Sequence, residues 1–202
     1  MPTCYIVAGP PRSGTSLTAG ILHRLGISMG SRLLPAAPMN PKGFFMDLDF
    51  DDLLSPLYSA DNLPTPGSKL PADAESQVRA LIQEREKAGA DWGLNSLWIG
   101  VIAPLLVEEC AAVKLVRVAR PALASRASLA AHTAHSPEKI AEIIAWGKAT
   151  ADYVAGIVPV VDVTFANLLD ATTSEIGKLT TFTGKQLRQE ALDFVDASLR
   201  TF

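Results

Sequence analysis

The sequence has only two cysteines, Cys4 and Cys110, and they form no metal-type cluster. We expect buried thiols at these positions rather than a disulfide. No apolar run approaches the roughly 20 residues that a membrane-spanning helix needs. The first residues also lack the basic region and apolar stretch of a signal peptide. These absences predict a cytoplasmic protein with no membrane partner.

The sequence also lacks a basic excess, because 18 Lys and Arg residues stand against 21 Asp and Glu residues, a net charge of −3. Nucleic acid is therefore not expected as a partner. With 48% hydrophobic and 19% charged residues, the chain has enough apolar material for a sizeable core. A length of 202 residues suits a single domain, which we predict over residues 1–202.

The first 25 residues contain a pattern that favours phosphate binding. An apolar, branched run at residues 5–8 predicts a buried strand, and a Gly- and Pro-rich loop follows at residues 9–14. Residues 15–25 then repeat leucine and isoleucine on one helical face. In such a unit the unpaired N–H groups and the dipole of the helix start attract anions. Glycines let the backbone approach the anion closely.

A lysine is missing from this loop. Nucleotide hydrolases have the pattern GxxxxGK[ST], and Gly9 and Gly14 have the matching separation, but Thr15 occupies the lysine position. The positive charge lies at Arg12 instead. Because the lysine contacts the terminal phosphates of ATP or GTP, the loop suits a phosphate group but argues against ordinary nucleotide hydrolysis. A simple Gly- and Pro-rich turn is the alternative, and it leaves the polar residues at the helix start unexplained.

The segment PPRSGTS at residues 10–16 resembles the 5′-phosphosulfate-binding loop of sulfotransferases, which use 3′-phosphoadenosine 5′-phosphosulfate (PAPS). It is most similar to the branch in which arginine replaces the loop lysine. The resemblance implies that the donor is bound by Pro11, Arg12, Ser13, Gly14, Thr15 and Ser16. It also implies that Arg12 takes part in the transfer.

A second basic site is predicted after another buried strand. Residues 112–119 are apolar and branched, Arg120 ends the strand, and residues 122–131 predict a helix. In sulfotransferases a similar segment, LRDPRDVAVSL, has an arginine and a serine eight residues apart that bind the 3′-phosphate of the donor. Here Arg120 and Ser128 have that spacing, and Ser125 is a rival hydroxyl. The alternatives are an ion pair at the strand end and an ordinary helix serine.

The segment NPKGFF at residues 40–45 resembles NPKGYFE of the same branch, but Met46 stands where the family has glutamate. Sulfuryl transfer to a hydroxyl needs a base that takes the acceptor's proton. The nearest acids, Asp47 and Asp49, are therefore our candidates for that base. A solvated face or a helix start favoured by the dipole is the alternative for both, and applies more strongly to the acids at residues 51–52.

Three further features have weaker functional interpretations. Asn95 stands where many relatives have a lysine that would stabilise charge on the bridging oxygen. His132 and His135 lie near a predicted helix end and are expected on the surface. Asp162 lies on a third predicted strand, where a nucleotide hydrolase has a magnesium-binding acid, but the missing loop lysine argues against that role.

These patterns predict a three-layer α/β fold like that of P-loop nucleotide hydrolases. Its central parallel sheet should include strands near residues 4–8, 113–119 and 158–163, with helices on both faces. Proline-rich residues 31–71 are expected to form a loop-rich acceptor or lid region. The last helix is expected near residues 189–200.

The resulting hypothesis is a PAPS-dependent sulfotransferase that acts on a hydroxyl or amine of a small-molecule, glycan or peptide acceptor. The transfer is expected to need no metal, because two basic sites neutralise the donor. Two alternatives stay open: a P-loop small-molecule kinase or other phosphotransferase, and a nucleotide-binding protein of this fold that has lost catalysis. The sequence indicates neither the acceptor nor an oligomeric state.

Overall fold

Four short strands form a parallel sheet in the order β2–β1–β3–β4. The structure, a computed structural model, describes residues 1–170 and 172–199. Ile6 lies opposite Leu94 on one side and Leu115 on the other. The strands are β1 (Cys4–Ala8), β2 (Trp92–Asn95), β3 (Val113–Ala119) and β4 (Val160–Thr164).

Helices connect the strands and cover both faces of the sheet. They are α1 (Thr15–Arg24), α2 (Leu48–Leu54), α3 (Ala72–Lys87), α4 (Ile99–Glu109), α5 (Ala122–Ala130), α6 (Pro137–Ala155), α7 (Phe165–Asp170), α8 (Thr172–Thr183) and α9 (Gln189–Asp193), followed by a 3₁₀ turn at Ala197–Leu199. Within the described residues, no helix combines the length and apolar character that crossing a membrane requires.

The side chains of β1 alternate between two apolar cores, one on each face of the sheet. Cys4, Ile6 and Ala8 pack in a core with residues of α3, α4 and α6. Tyr5 and Val7 pack in a second core with residues of α1, α8 and α9. All five residues of β1 are buried, which explains the continuous apolar run of this strand. The predicted three-layer α/β fold is thereby confirmed.

The direction in which the chain adds strands changes between β1 and β3. From β1 the chain continues to β2 at one edge of the sheet, and from β3 it continues to β4 at the other edge. The loops after β1 and β3 therefore leave the sheet toward opposite sides, and a crevice opens between them. Ligands of open parallel sheets bind at such a point. Residues 9–14 lie on one side of this crevice, and residues 120–121 lie on the other.

Three elements differ from the sequence-based expectation. The pattern does not predict β2, since four residues are too short a run to show a period, and α2 forms within the expected loop region. The last helix ends at Asp193, well before residue 200. Carboxylates are unfavourable at a helix C-terminus, and Asp196 Oδ1 accepts a hydrogen bond from the Ser198 N–H at 3.0 Å. That local bond favours a separate turn over a continued helix.

Asp47 fixes the start of α2. Its carboxylate accepts a hydrogen bond from the Asp49 N–H at 3.0 Å, which is a helix-capping contact. Arg85 of α3 donates to Asp47 Oδ2 at 3.1 Å and to Asp49 Oδ2 at 2.6 Å. The Asp47 side chain is only 1% exposed. Burial raises the pKa of Asp47, although the capping N–H and Arg85 both oppose that rise.

Replacing Arg85 by alanine should destabilise the fold by about 3–5 kcal/mol, because a buried carboxylate then loses its cation. The deficit should be smaller near pH 4 than near pH 7. The pKa of Asp47 is higher in the folded state than in the unfolded state. The loss of stability is therefore absent below the pKa of the unfolded state, about 3.9, and grows as the pH rises through the pKa of the folded state. Urea denaturation at both pH values measures the effect.

Arg32→Ala is the matched control, because Arg32 also pairs with Asp49 but its side chain is 54% exposed. Exposed ion pairs contribute little to stability, so this variant should unfold close to the native chain. Equal losses in the two variants, or a deficit of Arg85→Ala that does not change with pH, would contradict the buried-pair interpretation.

Candidate functional site

The loop after β1 contains two residues in the left-handed backbone region, Arg12 with φ 67° and Gly14 with φ 101°. Glycine adopts this conformation freely, whereas another residue there costs about 1–3 kcal/mol. The Ser13 N–H donates to the Pro10 carbonyl at 3.0 Å and closes the turn. Backbone strain of this kind concentrates at ligand sites, so Arg12 is placed where a ligand is expected.

The first turn of α1 retains unpaired backbone donors. Gly14 precedes the helix, no side chain among the described residues caps it, and its first turn contains no acidic residue. The N–H groups of this turn have no acceptor within the helix. Together with the helix dipole they give a positive potential at Thr15 and Ser16. An anion at this point would accept hydrogen bonds from these N–H groups and would be attracted by the positive potential.

Close packing holds the loop in position. A Cβ at Gly14 would lie 2.6 Å from Cδ2 of Phe165 at the start of α7. On the other side, a Cβ at Gly147 of α6 would lie 2.5 Å from Cδ of Pro11. Two helices therefore contact the loop without space for even a methyl group, and they fix its course.

The two basic sites predicted from the sequence meet at Arg12. Arg120 Nη1 donates to the Arg12 carbonyl at 2.9 Å. Arg12 Nε donates to Ser128 Oγ at 3.1 Å, and Arg12 Nη2 donates to the Met39 carbonyl at 3.2 Å. The structure thus brings Arg120 and Ser128 together with the loop, but the Ser128 hydroxyl already accepts from Arg12.

The two guanidinium groups are held in an unfavourable environment for cations. Burial lowers the pKa of Arg12, and the charge of Arg120 lowers it further. Burial also lowers the pKa of Arg120. The polar partners of the Arg12 side chain are a hydroxyl and a carbonyl rather than a carboxylate. A bound anion would relieve the cost of burying the charge of Arg12.

Two buried hydroxyls beside this cluster, Ser13 Oγ and Ser125 Oγ, have no hydrogen-bond partner among the described residues. An unsatisfied buried hydroxyl costs about 1–3 kcal/mol and is uncommon without a functional reason. Because Ser128 already accepts from Arg12, Ser125 is the uncommitted member of the two candidate serines.

Two cavities meet at the loop, and both are lined by Arg12, Thr15, Ser16 and Met39. The first has a volume of about 100 Å³ and also contacts Asn40, Pro41, Lys42, Gly43, Phe165 and Asp196. It has room for a group of phosphate size but is smaller than the roughly 300–1,000 Å³ of pockets that enclose a small molecule. A nucleotide held there would extend out of it.

The second cavity has a volume of about 380 Å³ and lies between the carboxyl ends of β1 and β2, α6 and the segment before α2. Its wall is mainly apolar, with Leu34, Phe44, Met46, Leu97, Ile99 and Trp146. The polar side chains in that wall besides the loop residues are Asp51, Asn95, Ser96 and Thr150. Part of the predicted acceptor region, residues 31–71, thus lines a cavity that opens on the loop after β1.

Asp51 is a candidate functional residue that the sequence analysis did not select. It lies on α2 and lines the second cavity, and its Oδ1 atom is buried with no hydrogen-bond partner in the described structure. Burial raises the pKa of Asp51, and nearby Ser55 and Trp98 oppose the rise only in part. The spacing of the buried residues Phe50 and Leu54 is the signal that would have indicated α2 and placed Asp51 next to its inner face.

Asp47 and Asp49, the two acids selected from the sequence, serve structural contacts. Asp47 caps α2 and pairs with Arg85. Asp49 pairs with both Arg85 and Arg32, and its hydrogen bond with Arg32 lowers its pKa. Neither belongs to the wall of the cavities that the described residues form. Met46, which precedes them, lines the second cavity. The geometry therefore favours Asp51 over both residues.

The residues with weaker functional interpretations either have protein partners or lie outside the two cavities. Asn95 lines the second cavity, but its Nδ2 donates to the Phe44 carbonyl at 2.8 Å. Asp162 pairs with Arg117 at 2.6 Å, across the register of β3 and β4. His132 is half-buried and His135 is exposed, and both lie outside the two cavities of the described structure. Within residues 1–170 and 172–199, no group of three or more His, Cys, Asp or Glu side chains is arranged to hold a metal ion.

Comparison with known proteins yields weak structural similarity and no sequence match. No protein-family model matches the chain, and no curated protein sequence matches it. Among solved structures, the sulfotransferase domain from the curacin biosynthetic pathway is similar over 100% of this chain and 83% of that one, with 15% identity and a TM-score of 0.48. An identity and a TM-score this low carry no argument about activity.

The aspartates should titrate in a distinct order. Asp51 should have a pKa above the usual aspartate value because it is buried, whereas Asp162 and Asp49 should titrate below it because each accepts from an arginine. A ¹³C NMR titration of the carboxyl carbons measures this order, with Asp51→Asn to assign the signal. An Asp51 signal that titrates at or below that of Asp162 would rule out the enclosed environment.

Proposed function

We propose that the protein is a PAPS-dependent sulfotransferase. The observation that carries the proposal is the meeting of Arg12 and Arg120 beside the uncapped start of α1, at the point where the strand order reverses. Two half-buried guanidinium groups and a helix N-terminus in one crevice suit a ligand with two separate anionic groups. PAPS has such groups at its 5′ and 3′ positions.

The residues present fit this donor. Pro11 to Ser16 would hold the 5′-phosphosulfate through the loop backbone and Arg12, and Gly14 provides the left-handed backbone that the loop requires. Arg120 would hold the 3′-phosphate together with a hydroxyl from α5. Ser125 Oγ has no partner in the described structure, and the Ser128 hydroxyl, which accepts from Arg12, still has its own proton to donate. The donor supplies the sulfuryl group that is transferred.

Arg12 has the position of a residue that acts on the transferred group, because it lines both cavities. A fixed cation between donor and acceptor sites stabilises the negative charge that develops as the bond to the leaving group breaks. Lys42 also lines the first cavity, and its Nζ lies 3.7 Å from Asp196 Oδ2. The charge of Lys42 thereby offsets that of Asp196, the one acidic side chain that lines this cavity among the described residues.

The broader setting of the activity is proposed on the same basis. The chain would act as one domain over residues 1–202 in the cytoplasm, and transfer the sulfuryl group to a hydroxyl or amine without a metal. The acceptor would enter the second cavity, which adjoins the loop.

A nucleotide-binding protein without catalysis is the second candidate. The observations that favour it are Met46 at the position of the family's glutamate, and the engagement of Asp47 and Asp49 in ion pairs. A kinase is less favoured, because Thr15 brings no charge to the lysine position and Asp162 pairs with Arg117.

Adenosine 3′,5′-bisphosphate should stabilise the protein more than AMP or ATP with Mg²⁺ at equal concentration. A hundredfold preference corresponds to about 2.7 kcal/mol of extra stabilisation, because stabilisation follows RT ln(1 + [L]/Kd). Arg120→Ala should remove the preference over AMP by deleting the 3′-phosphate contact. Arg12→Ala should weaken the binding of both ligands. Thermal shift assays across ligand concentrations measure all three effects.

Arg126→Ala is the matched control, because Arg126 lies on α5 with an exposed side chain and should leave the preference unchanged. An equal shift with AMP, or a preference that survives Arg120→Ala, would refute the proposed donor site. Selective binding of the bisphosphate without sulfuryl transfer to any acceptor would support the non-catalytic candidate. Transfer is followed by mass spectrometry of acceptor mixtures incubated with PAPS.

A further inference from the structure

We propose that the second cavity takes a small, uncharged, largely apolar alcohol, and that Asp51 removes the proton of its hydroxyl group. This inference rests on the proposed sulfotransferase function and adds the class of acceptor and the identity of the base. It is carried by the volume of the cavity, the composition of its wall and two polar atoms that lack partners.

The volume limits the size of the acceptor. A water molecule occupies about 30 Å³ in the liquid, so the cavity of about 380 Å³ corresponds to about a dozen waters. This suits a compact organic molecule, and it falls within the roughly 300–1,000 Å³ of sites that enclose one. An oligosaccharide or a folded peptide segment is too large to be enclosed.

The wall selects an apolar molecule. Phe44, Met46, Ile99 and Trp146 present carbon and sulfur surface to the cavity, and burial of apolar ligand surface against them is favourable. The Nδ2 of Asn95 is engaged by the Phe44 carbonyl. A sugar would therefore bury several hydroxyls with few partners, at about 1–3 kcal/mol for each.

Two atoms in the same wall are suited to one hydroxyl group. Asp51 Oδ1 and Thr150 Oγ1 are buried, and neither has a hydrogen-bond partner in the described part of the chain. Both residues line the second cavity together with Arg12. A hydroxyl can donate to a carboxylate and accept from a threonine, so an alcohol has the groups to pair with either atom. A carboxylate ligand would instead be repelled by Asp51.

Asp51 is suited to act as a base because it is the carboxylate in this wall and has an unpartnered oxygen. The acceptor oxygen forms a bond to sulfur while its proton passes to Asp51. The bond between sulfur and the bridging oxygen of the donor breaks, and its electron pair stays with adenosine 3′,5′-bisphosphate. Arg12, which lines the same cavity, faces the charge that develops on that oxygen.

Binding of 1-octanol and of glucose to the native chain, measured by calorimetry without donor, tests the acceptor class. Octanol should bind and glucose should not. Leu97 lines the cavity and is 45% exposed, so Leu97→Asp should weaken octanol binding at least tenfold by placing a charge in the apolar wall. Leu187→Asp is the matched control, because Leu187 is equally exposed and lies outside the wall.

Asp51→Asn tests the base. It should keep octanol affinity within about threefold but lower the rate of transfer from PAPS to octanol at least a hundredfold, since a positioned base contributes about 10²–10⁴. The KM for octanol should change little. A native rate in this variant would overturn the role of Asp51. Glucose or a serine-containing tripeptide that binds as tightly as octanol would overturn the acceptor class.

The two proposals fail separately. Bisphosphate binding without octanol binding overturns the acceptor inference and leaves the proposed function intact. Octanol binding that Leu97→Asp weakens, without bisphosphate binding, supports the cavity assignment while the sulfotransferase function fails. Circular dichroism and thermal unfolding of each variant verify that it is folded before the measurements are compared.

Discussion

β1 and β3 pair in parallel along the whole of β1, with Ala8 opposite Arg117 at the carboxyl end, and the site depends on this pairing. It places the loop after β1 beside the loop after β3, so that Arg120 Nη1 reaches the Arg12 carbonyl at 2.9 Å. The two strands lie more than 100 residues apart in the chain. Their apolar side chains pack in the cores on the two faces of the sheet and hold the polar loops in register without contributing polar groups themselves.

The loop itself combines several unfavourable features that one ligand would relieve. Arg12 has a left-handed backbone, its guanidinium is partly buried close to a second one, and two neighbouring serine hydroxyls lack partners in the described structure. Each feature costs free energy in isolation. The tight packing of Gly14 and Gly147 supports the strained turn. A preorganised anion site has these properties, because the ligand then needs little reorganisation of the protein.

The run of acids from Asp47 to Asp52 illustrates how position within a helix divides similar residues. Asp47 lies at the cap of α2 and pairs with Arg85, and Asp49 lies toward Arg32 on the outer side. Asp51 lies two residues further along and lines the second cavity. Asp47 and Asp49 converge on Arg85, whereas the rotation of about 100° per helical residue takes Asp51 away from them. Charge and proximity in sequence do not distinguish them.

The sequence by itself determined the parallel α/β class and indicated a candidate phosphate-binding loop with Arg12 in place of a lysine, and its resemblance to sulfotransferases added the candidate residues Arg120 and Ser128. The fold class and the loop follow from short-range patterns: a buried run, a Gly-rich turn and a helix start. Only the tertiary structure decided that Ser125 rather than Ser128 has an uncommitted hydroxyl, and that Asp51 rather than Asp47 or Asp49 lines a cavity. Those distinctions depend on partners distant in the chain, and such contacts have no signature in local spacing.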